Sequence, residues 1–137
     1  MALTTTEGNS IGSEIFGGTA HAAEGTWHVA LFTASPTIAG LGTNEVSTSG
    51  TGYARVAVTN NSTNFPATSA LAGANGAAIA FPTVTASWGT ITHFGLCNST
   101  TEGTSDVWHF GTLTSPGIPA VGQTPTFAIG ALQWVLT

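Results

Sequence analysis

Apolar side chains recur at every second residue through most of this chain, and glycine or proline closes each run. A period of two puts alternate residues on opposite faces of an extended backbone, so the chain reads as strands. The clearest run is 26–33, T-W-H-V-A-L-F-T. There Trp27, Val29 and Leu31 point one way, and His28, Ala30 and Phe32 the other. The longest run is 88–98, with Ile91, His93 and Cys97 opposite Thr92, Phe94 and Leu96. Residues 99–105 read as a turn that brings 106–113 back as a hairpin partner. Runs at 53–59, 77–81, 124–129 and 131–137 add strands, with a short one near 67–71, while Pro116 and Pro119 read as breaks. Seven or eight short antiparallel strands at this spacing imply one all-β domain, a jelly roll or β-sandwich.

Residues 1–25 are set apart from that pattern, leaving 26–137 as the sandwich domain. Residues 10–16 read as a short helix with Ile11, Ile15 and Phe16 on one side, stopped by Gly17 and Gly18; the alternative is an extended arm. Two stretches rich in small polar residues, 35–52 and 60–76, read as long loops, which in a compact domain imply function or contact with a neighbour.

Charge is nearly absent. Only 5% of the residues are charged, against about 25% in a typical domain. Arg55 is the sole cation, there is no lysine, and six acids bring the net charge to −5. One arginine cannot neutralise a run of phosphates, so nucleic acid is not an expected partner. The same poverty excludes a polybasic membrane anchor, no apolar stretch is long enough to span a bilayer, and no secretory signal is visible in 1–25. Cys97 stands alone, so no internal disulfide can form. Interface cores are depleted in charge. A surface of threonine, serine, alanine and glycine therefore points to faces that meet other copies or another protein.

Catalytic chemistry finds little support in these residues. No G-x-S-x-G elbow occurs, and Cys97 reads as a small buried hydrophobe. Glu102 and Asp106 read as solvated turn acids, and Glu45 with Arg55 as a surface ion pair contributing about 0–1 kcal/mol. The four tryptophans read as core, and the Asn-x-Ser/Thr matches at Asn60, Asn61 and Asn98 as chance. His93 and His109 would fall nearly opposite each other across a tight, symmetric 99–105 hairpin, close enough to share a metal. A third ligand is not evident, so two half-buried histidines bonded to backbone or threonine are expected, with no cofactor.

Several segments carry a resemblance. F-G-G-T-A at 16–20, W-H-V-A-L-F-T-A-S-P at 27–36 and G-T-N-E-V-S-T-S-G-T-G-Y-A-R-V-A-V-T at 42–59 come first. F-P-T-V-T-A-S-W-G-T-I-T-H-F-G-L-C at 81–97, V-W-H-F-G-T-L-T at 107–114 and F-A-I-G-A-L-Q-W-V-L-T at 127–137 continue in the same order. Together they resemble a family of small virion proteins of tailed bacteriophages, often labelled tail-fibre-like. Proteins similar in size and composition serve as capsid cement or decoration. The resemblance implies a non-enzymatic virion structural protein. The main expectation is a cement protein on the outer capsid surface, binding the major capsid protein as a homodimer or homotrimer. The alternative is a tail or tail-fibre component contacting the host. Ile11, Ile15, Phe16, Leu41, Glu45, Arg55, Phe65 and Leu71 are the candidate contact residues. The departure from the family lies at 4–14, where glycine and serine replace a more convincing helix.

Overall fold

A computed structural model of the chain describes residues 2–135 of the 137. β1 (Ala2–Leu3) is followed by α1 (Thr5–Gly17) and then by β2 (Thr26–Phe32), β3 (Val56–Thr59), β4 (Ala72–Ala74) and β5 (Ile79–Ala80). β6 (Ile91–Cys97), β7 (Val107–Gly117), β8 (Thr126–Phe127) and β9 (Gln133–Val135) complete the described chain. The protein is all-β with one N-terminal helix, as the alternation implies. Five strands form an antiparallel sheet in the order β1-β7-β6-β2-β3, and β4-β9 and β5-β8 form two small ladders.

The alternation read in β2 sets the layers. Val29 and Leu31 enter the main core with Tyr53, Phe81, Val84, Trp88, Phe94, Leu96, Leu132 and Trp134. Ala30 and Phe32 enter a second cluster with Cys97 and Val107. The central strands are thus buried on both faces, whereas the outer face of a plain two-sheet sandwich is polar. Trp88 and Trp134 are buried and Trp27 packs on the main cluster, in line with their reading as core.

Several boundaries differ from the sequence expectation. The strand expected at 53–59 begins at Val56, because Tyr53 and Arg55 turn inward to a polar centre. The short strand expected near 67–71 lies at Ala72–Ala74, after Ala70 and Leu71 take positive φ in a turn. β7 does not break at Pro116 but runs to Gly117. Beyond Phe110 its outer side has no strand partner among the described residues, so the missing proline N–H breaks no ladder. Ile91 joins Phe94 and Leu96 in the main core rather than opposing them. The register of β6 on β7 slips between Ile91 and His93, so strict alternation fails there. Leu132 and Trp134 are buried as the closing alternation implies, whereas Leu136 and Thr137 lie outside the described residues.

A second slip has larger consequences. Cys97 pairs with Val107, yet Leu96 pairs with His109, so Trp108 is an extra residue in β7. A bulge of this kind lets two successive side chains project to one side. Trp108 and His109 accordingly both meet the Trp27 ring, with centroids 6.1 and 5.3 Å away.

Helix α1 starts five residues before the expected 10–16 span, with Thr4 extended at its cap. Gly8 and Gly12 each cost about 1 kcal/mol relative to alanine, and no continuous apolar stripe compensates. The helix is instead placed by its neighbours. β1 pairs with β7 through Ala2–Phe110 and Leu3–His109, and Thr4 N–H donates to the Trp108 carbonyl at 2.9 Å. Gly18 ends it in the left-handed region at φ 66°, where its N–H bonds the Ser13 carbonyl.

Asn75, inside the expected 60–76 loop, clamps the second layer. Its Nδ2 donates to the carbonyls of Ala77 and Ala128, and its Oδ1 accepts the Leu132 N–H at 2.8 Å. Asn75→Ala leaves the buried Leu132 N–H without its partner and removes the part-buried bonds to the Ala77 and Ala128 carbonyls. A loss of about 1–3 kcal/mol, chiefly from the buried Leu132 N–H, is expected, read as a lower urea midpoint with unchanged slope.

Candidate functional site

The polar chemistry of this protein gathers at two centres, and a third region is an apolar groove. The first centre surrounds Arg55. Its Nε donates to Glu45 Oε1 at 2.8 Å and its Nη2 to Glu45 Oε2 at 2.8 Å, a bidentate fork. Nη1 donates to Asp106 Oδ2 and to the Ser99 carbonyl, both at 2.8 Å, and Nη2 also reaches Asp106 Oδ1 at 3.1 Å. All five N–H donors of the guanidinium are therefore used. Glu45 further accepts the Tyr53 hydroxyl and the Gly103 N–H, and the Tyr53 oxygen accepts the Leu31 N–H.

The Arg55 and Glu45 side chains are 1% and 2% exposed. The pair expected at the surface is thus interior, because the loop after β2 folds back and bridges Glu45 to Phe32. Asp106, expected as a solvated turn acid, is drawn in as the second anion. Burial disfavours the charged guanidinium, but the hydrogen bonds it donates to Glu45 and Asp106 outweigh it and raise its pKa above the ordinary value. Burial, with Glu45 alongside, also raises the Tyr53 hydroxyl and keeps it neutral.

The second centre joins α1 to β7. Glu7, the one buried residue of the helix, brings Oε1 to 3.3 Å from His21 Nε2 and 3.6 Å from His109 Nε2. His21 Nδ1 lies 2.6 Å from Ser10 Oγ. Glu7 Oε2 and His109 Nδ1 are buried without hydrogen-bond partners. Burial raises the Glu7 carboxyl, against the opposing effect of His21, and lowers His109 to about 4. Ser10, His21 and Glu7 have the outline of a serine relay. Ser10 nevertheless sits inside α1, where backbone N–H groups close helical bonds instead of facing a developing oxyanion.

The expected His93–His109 pairing does not form. His93 is opposite Thr112 and bonds Thr92 Oγ1, while the bulge sets His109 opposite Leu96. No group of three or more His, Cys, Asp or Glu among the described residues is arranged to hold a metal ion. Cys97 is buried, and burial raises its thiol pKa.

The third region is apolar. A groove of about 590 Å³ lies between the far half of β7 and β8, floored by Leu31, Phe81, Ile91, Leu113 and Phe127, with Ile118 at its rim. None of its lining residues is ionisable. Of the expected contact residues, Phe16 is 90% exposed, and Ile15, Leu41 and Leu71 also face solvent. Ile11 is half-buried, Phe65 packs its ring 5.9 Å from Trp134, and Glu45 and Arg55 face the interior. Ile38, Ile118, Val121 and Ile129 are exposed apolar residues the sequence reading passed over. Ile38, Ile118 and Val121 lie outside the alternating runs and Ile129 is the last residue of one, so periodicity marks none of them as exposed. Because Arg55 is enclosed, no lysine or arginine side chain faces solvent.

Arg55→Met removes the cation and leaves the Glu45 carboxylate buried and unpaired. The expected loss is about 3–5 kcal/mol in chemical denaturation. Arg55→Lys keeps the charge without the fork and should recover only part of it.

Comparison with known proteins bears on what these surfaces serve. No curated protein matches the sequence. Residues 2–135 match the family Gp80, described as "Podophage GP4 fiber I protein gp80". The match spans nearly the whole chain, and the protein belongs to this family of phage virion structural proteins.

Proposed function

We propose that this protein is a non-enzymatic component of a podophage tail fibre. The observation that carries this reading is the fibre-family match over residues 2–135. The structure supports it in physical terms. A closely hydrogen-bonded β scaffold offers exposed apolar side chains and no exposed lysine or arginine. Such a surface suits broad contact with uncharged faces, at little desolvation cost, and suits polyanions poorly. The partners proposed are further copies of the chain, as a dimer or trimer, and a neighbouring virion or host surface.

The capsid-cement reading, with the major capsid protein as partner, has no observation of its own beside the family match, which names a fibre protein. Immunogold electron microscopy of purified virions separates the two. Label confined to the tail, with far fewer copies than the major capsid protein by quantitative gel, is expected. Label over the whole shell, at a simple ratio to the capsid protein, would restore the cement reading.

A further inference from the structure

We infer that the Glu7–His21–His109 cluster is an acid-sensitive latch, which holds α1 against β7 at neutral pH and loosens it on acidification. The argument begins with how lightly the helix is otherwise held. Its start is tied by the β1 pairing and by Thr5 N–H to the Ile38 carbonyl, at 2.8 Å. Beyond that, Glu7 is its only buried residue, and residues 13–17 face solvent. The Glu7 carboxylate is thus the main fastening of the helix body to the sheet.

One carboxylate serves two imidazoles there. It can neutralise one imidazolium, but not two. His21 is the more open of the two and already shares its Nδ1 with Ser10. His109 is enclosed by the Trp27 ring on one side, and its Nδ1 has no partner to stabilise an added proton. Other nearby charges give no relief. Glu24 acts on Glu7 to raise its pKa, and His21 acts on His109 to lower it. Trp108 and Trp27 are uncharged, Glu14 lies on the exposed part of α1, and His28 alternates to the opposite face of β2 from Trp27.

The direction follows from linkage. His109 titrates near 6.5 when free and near 4 when docked, chiefly because it is buried. A depressed histidine contributes stability that is present above the free value and is lost as pH falls from 6.5 towards 4. Glu7 acts in the opposite sense. Its raised docked pKa means that docking gains as Glu7 takes up a proton, which offsets part of the His109 contribution. Between neutrality and about pH 5 the His109 contribution alone amounts to at most about a 30-fold shift in the docking equilibrium, from which the Glu7 offset subtracts.

Hydrogen exchange read by mass spectrometry on the full chain tests this, at about pH 7.5 and about pH 5, after correction for intrinsic exchange. The expected result is that protection of residues 5–17 falls by up to about 30-fold at the lower pH, while β2 and β6 keep theirs. His109→Gln should hold the helix equally at both pH values, and His109→Phe provides a second neutral replacement. Unchanged helix protection in the wild type would overturn the latch. So would a loss that persists in the His109 variants, or one shared equally by β2 and β6. Undocking of both variants already at the higher pH would make His109 a structural prop and overturn it too.

Discussion

One guanidinium, closed off from water, fixes the parts of this protein that have the least regular structure. The loop after β2 and the β6–β7 turn have few backbone ladders of their own. Arg55 orients both, because its fork meets Glu45 from the first and Asp106 from the second. Enclosing three charges carries a desolvation penalty of several kcal/mol per ion. Here the penalty is offset by complete use of the donors and by the extra bonds to Glu45 from Tyr53 and Gly103. Tyr53 then passes the constraint into β2 through the Leu31 N–H. A neutral, apolar replacement of similar volume would fill the space, but would lose the directionality that sets where the two loops lie.

How much of this was legible in the sequence follows from how local each signal is. The faces of β2 and the β6–β7 hairpin could be read because strand alternation and turn composition depend on neighbours in the chain. Asp106 could not be paired with Arg55, since 51 residues separate them and only the folded sheet brings them together. The extra residue at Trp108 leaves no mark on the alternation that distinguishes it from a regular strand. The expected His93–His109 pairing fails on register: Cys97 opposite Val107 already carries His93 two residues past His109, and the extra residue adds a third. Asn75 looked like one more polar loop residue, and its role depends on backbone groups more than 50 residues away. The helix was under-read because its glycines and threonines are poor formers, and what places it is β7, not its own propensity.

Burial of the sole cation also changes how the composition should be understood. A chain with six acids and one base would ordinarily show a mixed, if sparse, electrostatic surface. Enclosing Arg55 with Glu45 and Asp106 removes the only positive side chain and two negative ones together. What remains outside is hydroxyl, methyl and backbone, with a few isolated acids. Recognition by such a surface rests on shape and apolar contact.

The enclosure of Arg55 has a practical side as well. Proteases that cut after lysine or arginine have one site in this chain, and it lies inside the folded protein. Resistance to such a protease therefore reports on the whole fold, since cleavage requires the ion network to open. After denaturation the same enzyme yields only two long fragments, poorly suited to peptide sequencing. A virion inventory based on tryptic peptides would tend to overlook this protein even where it is abundant.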